Sequence, residues 1–315
     1  MNRAPGIDSV TTGAAPVAPS ADGVPLAETL DEATLRRVFP DAPADIAVAR
    51  DVSSMFRARM RAVGGTRRTG YLTLWILALL GAAGLVATGQ LLLGIVLGVV
   101  AICVAIWVSV SQHNKASADF FGAYARARGL SLEQDSRISA DIPLFSRGDE
   151  REWGHILRGT IAGQPAQLGH YTYTEVSTDS EGNRSETDYD FTTLHFPLPA
   201  MVAARFDGVY LSPRKLSFGA LQDKFSHDRK VELESTEFHK RYTLRVVDTQ
   251  DDIALFELFS TTFVHRLATE LTIYWEQRGD DLVAWRKGHE TEAADLDRFC
   301  LEAWHVLHRY LEEYR

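Results

Sequence analysis

The chain has 315 residues, 42 acidic against 33 basic side chains, and a formal charge of −9. That length accommodates a membrane element, a tail and one or two further domains. After residue 110 there are 34 acidic side chains and 24 basic ones, a balance that disfavours phosphate backbones and argues against nucleic acid as a partner.

Residues 1–27 are rich in Ala, Pro, Gly, Ser and Thr and poor in large apolar side chains, which predicts a disordered tail. No charged start followed by an apolar core marks a signal peptide. A short helix follows, capped by Thr29 or Asp31, with Leu30, Leu35 and Val38 on its apolar side and Pro40 beyond its end. Within the predicted helical region 28–69, a second pattern from Pro43 to Val63 repeats Ile46, Ala49, Val52, Phe56, Met60 and Val63 at helical spacing. Arg50, Arg57 and Arg61 project from its other side, which suits either a helix in the headgroup layer or one packed on a cytoplasmic domain.

Two charge-free apolar runs, Tyr71–Thr88 and Leu91–Val110, meet at Thr88-Gly89-Gln90. Each has the length of about 18–20 residues that crosses a hydrocarbon core, so residues 70–110 are predicted to form a transmembrane hairpin with both chain ends on one side. Arg50, Arg57, Arg59, Arg61, Arg67 and Arg68 precede it and Lys115, Arg126 and Arg128 follow it, while the turn carries no basic residue. Basic flanks stay inside, which predicts an inner-membrane protein with both termini cytoplasmic and lipid as one partner. Gly94, Gly98, Ala101 and Ala105 form a small-residue stripe on the second run; it can receive the first run of the same chain or a second copy. No ionisable residue inside either run suggests an ion path.

Residues 111–150 read as a connecting helix and linker, the helix carrying Phe120, Phe121 and Tyr124 and stopping at Gly129. From Trp153 the period becomes two. Strands are predicted over Trp153–Ala162 and Gln167–Val176 about a Gly163-Gln164-Pro165 turn, then over Asp188–Leu198 after a polar tip, Ser177–Glu186. Shorter strands fit Gly208–Leu211, Lys230–Leu233 and Tyr242–Val247. Asp251-Asp252 cap a helix over Ile253–Leu267, a last hairpin turns at Gly279-Asp280-Asp281, and a helix with one apolar and one charged side closes the chain from Thr291 to Tyr314. Residues 151–315 thus form an α+β domain of antiparallel β-hairpins covered on one face by helices.

The Tyr171-Thr172-Tyr173-Thr174 strand, its polar tip, Glu237-Phe238-His239-Lys240-Arg241-Tyr242, and Thr261-Thr262-Phe263-Val264-His265-Arg266-Leu267 follow in an order that resembles an uncharacterised bacterial family. Its members place two transmembrane helices ahead of a cytoplasmic domain of unknown function and are sometimes grouped with LemA-type proteins. The resemblance implies a membrane-anchored module and supplies no catalytic residues.

Two groups merit attention as chemistry. His305, His308 and Glu312 on the last helix have the residue types for a metal, or form a solvated face. His155, His170 and His195 fall on three strands that could be neighbours, and together would offer acid–base groups near neutral pH. Cys300 reads as a core residue. No phosphate loop, nucleophile elbow, HExxH or CxxC pattern occurs, and no cofactor is implied. Two functions follow: a membrane-anchored scaffold that recruits a protein partner through a sheet edge or acidic loop, or a ligand-binding or hydrolytic domain with a pocket near Tyr171, Tyr173, His195 and Trp275.

Overall fold

A computed structural model describes residues 30–43, 100, 117–133, 136–214 and 228–312. The predicted tail, the arginine-bearing helix with Arg50, Arg57, Arg59, Arg61, Arg67 and Arg68, and all of the hairpin but Val100, including Gly94, Gly98, Ala101 and Ala105, lie outside these residues. Among the described residues no helix is long and apolar enough to cross a membrane.

The frame is one wholly antiparallel sheet of nine strands in the order β1-β2-β3-β4-β9-β8-β5-β7-β6. In chain order the strands are β1 (Ser131–Glu133), β2 (Glu150–Ile161), β3 (Gln164–Thr178), β4 (Arg184–Pro197), β5 (Val209–Pro213), β6 (Asp228–Val231), β7 (Tyr242–Val247), β8 (Tyr274–Arg278) and β9 (Asp281–Lys287). Period-two alternation built β2, β3 and β4 as expected, while β1 lies in the stretch expected to be linker. In β4, Leu194 and Phe196 face the main core while Phe191 faces the other side. The first hairpin turns earlier than predicted. Ile161 pairs with Gln164, leaving Ala162 and Gly163 as a two-residue loop with φ of 54° and 74°, and Pro165 sits inside β3.

The helices are α1 (Glu32–Val38), α2 (117–128), α3 (Ala200–Arg205), α4 (Thr236–Arg241), α5 (Asp252–Leu258), α6 (Thr261–Thr269) and α7 (Ala293–Glu312). Helix α1 is capped by Asp31, whose carboxylate accepts from Thr34 N. The single helix expected over Ile253–Leu267 is two, broken at Phe259-Ser260. Arg309, on α7, donates to the Glu257 and Leu258 carbonyls at the break and so satisfies the end of α5.

The domain's core starts at Leu30, well before residue 151. Leu35, Val38 and Phe39 of the α1 region and Phe120, Phe121 and Tyr124 of α2 join the same apolar cluster as the sheet and α7. At Gly129, with φ of 70°, an added Cβ would meet Asp41 O at 2.2 Å, so the chain on either side of residues 44–116 is packed backbone to backbone there.

Helix α7 departs most from expectation. Its charged side does not face water: Asp297, Glu302, His305 and His308 are all buried. Helices α2 and α6 and strand β9 supply partners on that flank. Arg128 forks onto Asp297 at 2.7 and 2.5 Å and the Tyr124 hydroxyl donates to it at 2.9 Å. Arg286 and Arg298 reach Glu302 at 2.8 and 3.2 Å. Arg266 lies 3.2 Å from His305, and His308 lies 3.2 Å from Glu312.

The other face of the sheet is covered too, by residues 136–148, irregular except for a 3₁₀ turn at Pro143–Ser146, rather than by an α-helix. Ile142 and Leu144 pack with Tyr171, Tyr173, Phe191, Val283 and Trp285 in a second, smaller core. The strap is pinned where Leu144 N donates to the buried Glu276 carboxylate at 2.6 Å and Asp141 N to Asp281 at 3.1 Å.

Candidate functional site

Strands β3 and β4 outrun their neighbours. β2 pairs with β3 only as far as Thr174, and β9 meets β4 only up to Phe191, yet β3 and β4 stay paired to Thr178 and Arg184. The last four pairs, Glu175↔Thr187 to Thr178↔Arg184, project about 14 Å at roughly 3.4 Å per residue. Among the described residues no strand flanks this arm on either edge. The tip is shorter than the predicted Ser177–Glu186 loop because both ends of that loop are strand. Asp179 orders what remains: its Oδ1 accepts from Glu181 N and Asn183 N and its Oδ2 from Asn183 Nδ2, each at 2.9 Å. The Asn183 side chain, first among these bonds, holds the Asp179 pKa below its ordinary value. From Glu175 to Asp188 the arm carries five carboxylates, Glu175, Asp179, Glu181, Glu186 and Asp188, against one cation, Arg184. It is an exposed, negatively charged β-ribbon unflanked by a strand, its β3 edge capped at Val176, whose N–H donates to Asp149 at 2.8 Å.

At the base of the arm lies a histidine cluster. His170 on β3 stacks on His289, just past β9, with ring centroids 4.3 Å apart and planes 2° from parallel. Phe121 of α2 packs edge-on against His170 and at 4.7 Å against His155. His155 Nε2 meets the Ser117 hydroxyl at 2.9 Å, and His170 Nε2 donates to Glu290 O at 3.1 Å. Thr172 donates to Asp190 at 2.8 Å, and His289 Nε2 is 3.2 Å from the same hydroxyl. Burial, and secondarily the neighbouring His289, lowers the pKa of both His155 and His170, the latter to about 3. His155 and His170, the latter bonded to the Glu290 carbonyl, are thus held neutral where α2 meets the sheet.

Only two of the three predicted strand histidines come together. β2, β3 and β4 are neighbours, but His195 faces the opposite side of the sheet, bonded through Nε2 to Asp281 at 2.7 Å. Its pKa is lowered by burial against the pull of that carboxylate. His289 was missed because it follows the Gly288 turn, where no period guides the eye; Thr192, which bonds Gly288 O at 2.9 Å and Glu290 N at 2.8 Å, holds that turn over His170.

The residues expected around a pocket do not converge. Tyr171 and Tyr173 are buried in the smaller core and Trp275 in the main one, on opposite faces of the sheet. His305, His308 and Glu312 do not make a metal set. The Arg266 guanidinium occupies the ground beside His305, Glu312 is shared with Arg309 at 3.1 Å, and among the described residues no cluster of three ligating side chains is placed to hold a metal. Burial, with Arg266 and His308 adding to it, lowers the His305 pKa to about 3.

Comparison of the chain with protein-family models, with curated proteins and with solved structures finds no match in any of the three.

Proposed function

We propose that the chain is a membrane-anchored scaffold whose acidic β3–β4 arm engages a protein partner at the cytoplasmic face of the inner membrane. The observation that carries the reading is the arm: a ribbon extended past both neighbouring strands, net negative from Glu175 to Asp188, with a β4 edge on which an extended segment can pair. Ser117, seven residues after the second apolar run ends at Val110, meets His155 of β2, so a hairpin at 70–110 would join the domain on the α2 side of the sheet. The basic flanks Arg50 to Arg68 then touch anionic lipid, and Gly94, Gly98, Ala101 and Ala105 offer a face for the first span or for a second copy. The same anchored arrangement is what the resemblance to the two-span bacterial family implies. A filled core, with Tyr171 and Trp275 on opposite faces, favours this scaffold over a hydrolytic domain.

Two measurements test it. Single cysteines introduced at Gly89 and at Ser180 are labelled from either side of sealed inverted vesicles; Ser180 facing out and Gly89 protected fits the topology, and the reverse removes it. A photo-crosslinker at Glu181 or Glu186 then captures one stoichiometric partner in native membranes, and the same crosslinker at Glu234 does not. Equal capture at both positions ends the claim for the arm.

A further inference from the structure

Val100 apart, the large apolar side chains left exposed among the described residues are Met201, Ile253 and Phe256, at 65, 70 and 54% exposure. They fall at one place. Met201 is on α3 with Ala204 and Arg205 three and four residues on; Ile253 is on α5 with Phe256 and Glu257 three and four residues on, so each set shares a helix face. An ion pair between Arg205 and Glu257 ties the two faces together, and Gln250 Nε2 donates to Arg205 O at 3.0 Å. Between them runs a groove of about 600 Å³ lined by Ala204, Arg205, Asp207, Gln250, Ile253 and Glu257 among others.

The rim is acidic. Arg205 pairs with Glu257 and Arg229 with Asp252, and Asp207, Asp248 and Asp251 add negative charge beside the exposed Ile253 and Phe256. All three are exposed, with Asp207 accepting from Gly279 N and Asp251 from Ala254 N. That combination selects against two occupants. Anionic lipid is repelled by the rim. A second copy of the chain brings the same negative charge to a symmetric contact, and three side chains cover far less than the roughly 800 Å² per partner that a stable dimer buries.

We infer that the exposed Ile253–Phe256 face of α5, with the groove beside it, receives a basic amphipathic helix from a partner protein, its apolar residues at i, i+3, i+4 and i+7 resting on Ile253 and Phe256 and its Lys or Arg residues meeting Asp207, Asp248 and Asp251. The surface is separate from the β3–β4 arm: the groove adjoins the β5–β7 end of the sheet, past α3 and α5, and the arm rises from β3 and β4. Recognition here stands whether or not the arm binds anything.

The test uses the full chain in lipid nanodiscs and a fluorescein-labelled synthetic peptide of about 14 residues, leucine at the four apolar positions and lysine elsewhere. Fluorescence polarisation is expected to report saturable binding that Phe256→Ser weakens roughly tenfold, as loss of a central apolar anchor does. Asp248→Lys is expected to weaken it about threefold and to flatten its salt dependence. Both side chains are exposed, so circular dichroism spectra of the variants should match the parent; if Phe256→Ser does not fold, Ile253→Ser takes its place. Equal binding of a scrambled peptide of the same composition, or of the parent and both variants, overturns the inference. So does a Phe256-dependent association with phosphatidylserine vesicles or a Phe256-dependent dimer mass, either of which gives the groove to another occupant.

Discussion

Asp297→Leu should be the most damaging single change in the domain. Arg128 is 1% exposed and Asp297 5%, and the carboxylate accepts three hydrogen bonds, from Arg128 Nε, Arg128 Nη2 and the Tyr124 hydroxyl. Leucine there leaves a guanidinium buried between the Phe39 and Tyr124 rings, each 5.5 Å away, with no counter-charge. Breaking such a pair costs about 3–5 kcal/mol. At roughly 2–4 °C per kcal/mol for a domain of this size, the melting temperature should fall by about 10 °C. The companion double variant Arg128→Met/Asp297→Leu replaces both charges with apolar volume and should recover most of that loss, giving a coupling energy of at least about 2 kcal/mol in the cycle. Tryptophan fluorescence during thermal and urea unfolding of the full chain in detergent reads the parent, Asp297→Leu, Arg128→Met and the double variant. If Asp297→Leu melts within about 2 °C of the parent, or if the double variant is no better than the single one, the pair is not what fixes α2 to α7.

Three further outcomes are expected. Gly129→Ala forces a side chain into a residue at φ 70° and onto Asp41 O at 2.2 Å; urea unfolding should show a loss of roughly 2 kcal/mol or more, and a neutral result would mean that the contact between the two sides of residues 44–116 is not rigid. His170 and His305 are held neutral in the fold with pKa values near 3 against about 6.5 unfolded, so the unfolded chain takes up protons first as pH falls. Stability is therefore full above pH 6.5 and declines below it, by about 1.4 kcal/mol per pH unit for each histidine; His170→Phe should shallow the slope between pH 6.5 and 5 by about one proton, and an unchanged slope refutes the assignment. Cys300 is fully buried with its thiol pKa raised by burial, so in a Cys103→Ser background the native protein should resist alkylation by iodoacetamide until denaturant is added, and rapid modification of the folded chain would contradict its burial.

Much of the sheet was legible because half-buried strands print their period directly. Tyr171, Tyr173 and Phe191 all alternate as the structure has them, and Gly279 marks the last hairpin. What escaped was set by residues distant in sequence. The break at Phe259-Ser260 depends on Arg309, fifty residues on, and nothing local at 253–267 announces it. The charged side of α7 carries the pattern of a solvated face, and only Arg128, Arg266 and Arg286, each from another element, turn it into buried pairs. The histidine grouping failed in the same manner. Strand adjacency was right for His155, His170 and His195, but the β3–β4 register sets Thr192 opposite His170, so His195, three residues on, falls on the other face, and His289 enters from a turn. The covering of the second sheet face by residues 136–148 had a local hint in Ile142-Pro143-Leu144-Phe145, with nothing to say where it would land.

The pairing of β4 with β9 has a consequence in time. Phe191 meets Lys287 and Pro197 meets Asp281, so one half of the sheet leaves the ribosome while its mate is still some ninety residues from being made. At about 5–20 residues per second, the row Phe191, Leu194 and Phe196 waits roughly 5–20 s with its outer edge bare. During that interval the β1–β4 meander, whose contacts are local, can form. A chain stopped before Asp281 never closes that edge, and it should be met by chaperones and proteases as a sticky fragment rather than as a shorter working protein.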